Sequence, residues 1–491
     1  MKLGLEFRDQ RAISAAVVAI ILLGMAARLW DLGARSLWLD EAGDYWIAAA
    51  PLGDILAANR QGSMDPPLYY YFLHFWMRLG RSEFVLRLPS VLCGTAAIFI
   101  FYLWVKRLLG IRPALIGALL FALAPVQIYY SQEVNQYALL VLFSTLILLC
   151  FERVVTGGKA PWLWGLTFAS IAGLYSHYGI FWALLSLNLI FPLVAEREKA
   201  EWTKWLLCQG GILLAALCLI PLTLSHQFRL GQGPGSGYLG PYYHHFHHWR
   251  EELAFLCQRT GELFRFLTTP YRYIKGSNLV FWAILLLGLN RYRSKGAAGR
   301  RAFLYLFVPL ALVYLASGFN LYPYGHRQML FITPAYYAAL ATGLSALKRH
   351  NKWAFRGATV LALAIFALSH PGINPDTVLQ EDLRPVVAYV REHQKPQDVI
   401  YVYYGAHPAF RYYYDGPPEA VIYGTRFRER PLEAKVAEIA EVMRSARRTW
   451  LVFSHCWKSE CQDILALLVK QYHLAARYEA RGASAYLFEP R

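Results

Sequence analysis

Ile13-Ser-Ala-Ala-Val-Val-Ala-Ile-Ile-Leu-Leu-Gly-Met-Ala-Ala-Arg-Leu-Trp30 carries a single charge in 18 residues. As a helix it is about 27 Å long, close to the roughly 30 Å of hydrocarbon in a bilayer. The stretch is followed by Asp31-Leu-Gly-Ala-Arg35 and not by a small-residue cleavage site, so it reads as a retained span. Similar stretches recur near 84–105, 112–130, 137–152, 161–176, 178–195, 205–224, 278–290, 302–319, 328–347 and 353–370, which predicts about eleven crossings. The expected fold class is therefore a polytopic α-helical membrane protein.

Composition agrees: 56% of the 491 residues are hydrophobic and only 16% are charged. So little charge excludes a disordered chain, and seven cysteines in this length exclude a small disulfide scaffold. The net charge of +17 would suggest nucleic acid in a soluble protein. Here the cations alternate with the spans. Lys106/Arg107/Arg112, Arg197/Lys199/Lys204, Arg291/Arg293/Lys295 and Lys348/Arg349/Lys352 all fall on the side of the N-terminus, as the positive-inside rule requires of cytoplasmic loops. The outer face then receives 32–83, the links 131–136 and near 177, a long loop 225–277, the link 320–327 and everything beyond 371.

The tail changes character. Asp382–His393 and Glu433–Arg447 have helical periodicity, and Val399–Tyr403 and Thr449–Phe453 are β-rich, so 371–491 is expected to be a small outer α/β domain following the membrane domain 1–370. Pro371-Gly-Ile-Asn-Pro375 separates the two. Cys456 and Cys461 fall in this domain, where a disulfide is feasible in an oxidising compartment.

The conspicuous polar residues share the outer face. Asp40 and Glu41 sit in the otherwise apolar Ser36-Leu-Trp-Leu-Asp-Glu-Ala-Gly-Asp-Tyr-Trp46, where carboxylates are costly and by default functional. Asp40 reads equally well as the cap of a following helix. Ser63-Met-Asp-Pro-Pro-Leu-Tyr-Tyr-Tyr-Phe72 places Asp65 at a proline-stiffened turn ahead of Tyr69; a plain loop with interfacial aromatics fits it too. Tyr129-Tyr-Ser-Gln-Glu-Val-Asn-Gln-Tyr137 packs Gln132 and Glu133 into a very short link. His177, His326 and Arg327 complete the set; a satisfied interfacial histidine and a snorkelling arginine are the bland readings.

In the loop 225–277, Gly231-Gln-Gly-Pro-Gly-Ser-Gly237 looks like a lid hinge and not a P-loop, since no Gly-Lys-Ser/Thr follows. His244, His245, His247 and His248 invite a metal reading, but no nearby Cys or carboxylate completes a ligand set.

Taken together, Leu39-Asp-Glu-Ala42, Asp65-Pro-Pro-Leu-Tyr-Tyr70, Phe84-Val-Leu-Arg-Leu-Pro-Ser90, Ser131-Gln-Glu-Val-Asn-Gln-Tyr-Ala-Leu-Leu140 and His326-Arg327 resemble the GT-C membrane glycosyltransferases of the protein-mannosyltransferase and aminoarabinose-transferase type. The resemblance spans roughly residues 13–350. It implies a sugar donor on polyprenyl phosphate and no nucleotide, used on the periplasmic face of an inner (plasma) membrane with the N-terminus cytoplasmic. The acceptor is a lipid, a glycan or a protein.

The resemblance further implies Asp40 as the base, with Glu41 as second acid. Glu133 and Gln132, with Asp65, Tyr69 and His177, would position sugar or acceptor, and Arg327 with His326 would clamp the phosphate, seconded by Arg87. Some relatives use a divalent cation, for which Asp40 and Glu133 would be the ligands. Met64-Asp65 stands where aminoarabinose transferases have Glu-Lys, which argues against carrying their sugar over. Two rivals remain at this stage, a polyprenyl-lipid flippase and an oligosaccharide ligase. Against the flippase, the polar residues lie at one face and not at midplane.

Overall fold

In a computed structural model, residues 2–157, 160–195, 199–229, 237–244, 248–270, 274–370, 381–425, 431–446 and 448–490 are described. The glycine-rich segment 231–236, His245, His247 and the linker 371–380 lie outside them. The chain divides into two compact units, one of Met1–Trp30, Ala50–Arg78 and Leu86–Thr377, the other of Asp31–Ala49, Leu79–Val85 and Val378–Arg491.

The first unit is helical, and each expected span coincides with a helix. Among the described residues, six helices are long and apolar enough to cross a membrane, or seven if a bent pair counts as one span. Others are shorter, such as Pro161–Leu174 with 14 residues and Gly179–Val194 with 16. The protein is thus a multi-span membrane protein.

The stretch 112–130 is not the straight span its hydropathy suggests. Ile111–Leu123 and Pro125–Ser131 meet at a 55° bend. Pro125 has no N–H to donate and pushes Ala124 out of the helical region, to φ −61°, ψ 124°. The bend turns the helix into the polar link that follows.

Helix Ser277–Arg293 packs on Thr333–His350 at backbone distance. A Cβ on Gly288 would lie 2.1 Å from the Ala339 carbonyl oxygen, and one on Gly343 2.0 Å from that of Ile284. Small residues allow the close approach by which helices associate in lipid. At the end of Tyr137–Val155, Glu152 is 1% exposed and receives a bidentate Arg301 at 2.7 to 3.1 Å, with the Tyr305 hydroxyl donating at 2.8 Å.

The second unit holds a five-stranded sheet of β1 (Val399–Val402), β2 (Val421–Tyr423), β3 (Thr449–Ser454), β4 (His473–Ala480) and β5 (Ala483–Glu489) in the order β2-β1-β3-β5-β4. β1 pairs parallel with β2 and β3, while β3–β5 and β5–β4 are antiparallel. Central β3 is buried at all six positions, whereas edge β4 alternates exposed and half-buried side chains. Leu432–Ser445 and Glu460–Leu468 cover one face through Ile439, Met443 and Ile464. Cys456 and Cys461 are disulfide-bonded.

This unit also takes in Asp31–Ala49. The helix Leu39–Ala49 joins it: the Leu37 N–H donates to the Tyr413 hydroxyl at 2.6 Å, Trp46 Nε1 to the Pro408 carbonyl at 3.0 Å, and the Arg411 guanidinium lies 3.9 Å over the Trp46 ring.

Candidate active site

The ten residues singled out from sequence fall in both units, Asp40 and Glu41 in the sheet unit and the other eight in the helical one.

In the sheet unit, the helix begins at Leu39 and its first backbone bond runs from the Ala42 N–H to the Trp38 carbonyl, 2.9 Å. Asp40 therefore lies within the first turn and is not the cap. A carboxylate in the C-terminal part of the chain serves the helix start instead, since the Leu39 N–H reaches Glu381 Oε2 at 3.4 Å. Glu381 is itself paired with His455 Nδ1 at 2.5 Å. Asp40 gains from the helix macrodipole without being needed to cap. Glu41 and Asp44 face the buried side.

In the helical unit, the Asp65 turn is locked through its backbone. Asn59 Nδ2 donates to the Asp65 carbonyl at 2.8 Å, and the Asp65 N–H donates to Ser63 Oγ at 2.9 Å. Gln227 Nε2 donates to the Ser63 carbonyl at 3.0 Å, and the Leu68 N–H to the Tyr175 carbonyl at 2.9 Å. With the backbone so occupied, the carboxylate points at His177, whose Nε2 is 3.9 Å from Asp65 Oδ1.

His177 Nδ1 accepts the Gly179 N–H at 2.9 Å, which places the imidazole proton on Nε2, toward Asp65. Burial, with a smaller contribution from nearby Arg327, pushes the His177 pKa down to about 3. The ring is neutral at ordinary pH, so the pair is an N–H dipole facing a carboxylate and not an ion pair.

The sign of the linkage follows from that depressed value. The unfolded chain binds a proton at His177 that the fold does not, so stability falls as pH drops through the window from about 6.5 to about 3. His177→Asn is expected to flatten the thermal midpoint of the purified protein between pH 7 and pH 4; a slope equal to that of the unmodified chain would contradict the assignment.

Tyr137 lies between His177 and Arg327. Its ring centroid is 5.5 Å from that of His177, and the Arg327 guanidinium lies 5.9 Å over it. His326 turns the other way, stacking on Phe266 at 5.0 Å with Nδ1 3.3 Å from the Tyr242 hydroxyl. Burial lowers the His326 pKa; Glu262 opposes this, while Arg265 and Arg259 reinforce it.

Arg259, Glu262 and Arg265 come from the 20-residue helix Trp249–Thr268, which occupies part of the segment read as a lid loop. Its Leu263/Phe264/Phe266/Leu267 face is buried, a helical pattern that polar neighbours obscured. The segment also accounts for two of the histidines without a metal. His244 pairs with Glu252 at 2.6 Å and contacts the Tyr314 carbonyl at 2.9 Å, and His248 caps the helix. Among the described residues no group of three or more His, Cys, Asp or Glu is arranged to hold a metal ion.

The short link 132–136 is held from two sides. Gln132 Nε2 donates to the carbonyls of Arg28 and Trp30 at 3.0 and 2.8 Å, so its amide hydrogens tie the link to the first span. Ser90 Oγ donates to the Glu133 carbonyl at 2.7 Å, one turn along the helix from Arg87. Arg87 is 1% exposed, Glu133 3% and Tyr69 1%. Arg87 is therefore no headgroup anchor, and Tyr69 does not present a surface face for stacking.

Sequence reading passed over Arg28. It is fully buried, with Nε on Ser131 Oγ at 3.1 Å and Nη1 on the Gly24 and Ala122 carbonyls at 2.8 Å, while Nη2 meets no hydrogen-bond partner among the described residues. An arginine inside an apolar span was the available signal.

Residues 64–224, which include Asp65, Arg87, Glu133 and His177, match the family described as dolichyl-phosphate-mannose-protein mannosyltransferase. ArnT from Cupriavidus metallidurans in the apo state superposes with a TM-score of 0.62 at 13% identity, covering 97% of this chain and 98% of that one. The same enzyme bound to undecaprenyl phosphate gives 0.60 at 13% identity over 96% and 97%. Arabinofuranosyltransferase AftD from Mycobacteria gives 0.56 at 14% identity, over 98% of this chain and 40% of that one. A comparison with curated protein sequences finds no match. The chain has the GT-C fold, as its motifs implied.

Proposed function

We propose that this protein is a membrane glycosyltransferase that moves a sugar from a polyprenyl-phosphate donor to an acceptor hydroxyl at the outer face, with eleven crossings and a cytoplasmic N-terminus. The observation that carries the reading is the set Asp65, His177, Tyr137 and Arg327, drawn from four separate stretches of the chain, within a GT-C fold. The ArnT structure holding undecaprenyl phosphate supports the lipid class of the donor.

Displacement at the anomeric carbon releases a phosphate, a good leaving group that needs no general acid. What it needs is positive charge held in place. Arg327 supplies it as a charge-assisted donor, and Arg259 and Arg265 near His326 raise the local potential. Neutral His177 keeps Asp65 oriented and adds an N–H without adding charge. Asp40 takes the acceptor proton as the new bond forms, the role its match to the family's first-loop acid implies.

Arg327→Gln is expected to raise the donor KM about 10- to 100-fold, the weight of one charge-assisted hydrogen bond, with a smaller change in kcat. Equal donor affinity in the variant would remove Arg327 from the clamp.

The reading as a whole is tested by offering the purified full chain a panel of synthetic polyprenyl phosphates carrying different labelled sugars. Release or transfer from one of them names the sugar. Failure with every donor, accompanied by movement of polyprenyl lipid between leaflets in vesicles, would replace the transferase with a flippase.

A further inference from the structure

Toward the C-terminal end of helix Thr333–His350, away from Arg327, the helical unit carries an open cavity of about 420 Å³. Arg112, Arg291, Lys295 and Arg349 line it together with Ser294 and Ser345, and no carboxylate is among the lining residues. The lining comes from three places far apart in sequence. The close Gly288–Gly343 crossing brings the ends of two helices together, and Lys295 Nζ donates to the Leu109 carbonyl at 3.0 Å, joining them to the turn at Gly110. That turn, with φ +95° at Gly110, starts helix Ile111–Leu123, whose positive dipole end opens on the same cavity.

Basic residues at cytoplasmic helix ends are common and need no ligand. Here Arg112 and Arg349 are exposed and Arg291 and Lys295 half-buried, yet all four converge on one space. Four of them around one space, with hydroxyls between and a helix N-terminus beneath, repel one another unless an anion sits among them. We propose that this cavity binds a phosphate group, carried on a phospholipid headgroup or free in solution. Basic pockets between membrane helices take lipid phosphates in this way. The inference is independent of the glycosyltransferase reading, because none of the residues proposed for transfer lines the cavity.

Equilibrium binding to the purified full chain in detergent tests it, with short-chain phosphatidylglycerol, diacylglycerol lacking the phosphate, and radiolabelled inorganic phosphate as separate probes. The double variant Arg291→Gln/Arg349→Gln is expected to weaken binding of the phosphate-bearing probe at least about tenfold, the loss of one or more charge-assisted hydrogen bonds. Ser345→Leu, which fills the space and leaves every charge in place, should weaken it as well. Arg293→Gln/Lys348→Gln removes two cations from the same helix ends outside the cavity and should leave binding unchanged. Phosphatidylglycerol bound with phosphate ignored assigns a lipid; phosphate alone assigns a soluble anion. Binding of neither, equal binding of diacylglycerol, or equal loss in the control pair overturns the proposal.

Discussion

Asp40→Asn is expected to slow sugar transfer about 10²- to 10⁴-fold, the usual contribution of a positioned general base, while binding of the polyprenyl donor persists. The substitution keeps the side chain's size while removing its negative charge and its ability to take a proton. The helix start does not depend on it, because Glu381 serves the Leu39 N–H and the Trp38 carbonyl receives the first helical bond. A loss of turnover in a variant with unchanged melting would therefore report on chemistry. Had Asp40 been the cap, the same variant would lose about 1 kcal/mol of helix stability and confuse the two effects. Turnover within a few-fold of the unmodified protein would remove Asp40 as base and direct attention to Glu41, its neighbour.

Glu152→Gln should cost about 3 to 5 kcal/mol, the largest single loss of stability expected in the helical unit. Glu152 is 1% exposed and is met by two nitrogens of Arg301 and the Tyr305 hydroxyl. The amide leaves Arg301, itself only 14% exposed, facing a neutral group that cannot replace both charge-assisted bonds. Thermal unfolding in detergent would read the loss. The paired replacement Glu152→Leu/Arg301→Leu should recover much of it, since the cost lies in the stranded charge more than in the absent bridge. A Glu152→Gln protein that melts with the unmodified one would show the network to be solvated and weak.

The helix positions were legible because hydropathy is local: each of the stretches read from sequence lies over a helix, though six or seven of those described are long and apolar enough to cross a membrane. Their geometry was less so. The run 112–130 is apolar throughout, and only Pro125 marked the place where it breaks. The segment 225–277 looked like a loop because Gly, His and aromatic residues crowd its first half, yet Trp249–Thr268 is a regular amphipathic helix. Arg259 and Arg265 were missed with it. Arg28 was missed because a lone cation near the end of a span resembles an anchor until burial is known.

The sequence by itself determined that the chain spans a membrane, that its C-terminal part is a small α/β unit, and that it carries the GT-C motifs, because each of these follows from periodicity and motif order within short windows. Only the tertiary structure decided that His177 is neutral and aims Nε2 at Asp65, that Arg327 lies over Tyr137, that Glu381 and not Asp40 serves the first-loop helix, and that four cations from three distant segments wall one cavity. Those are facts of distance and burial between residues tens to hundreds of positions apart, and a protonation state or a hydrogen-bond partner depends on which groups the fold places within a few ångströms.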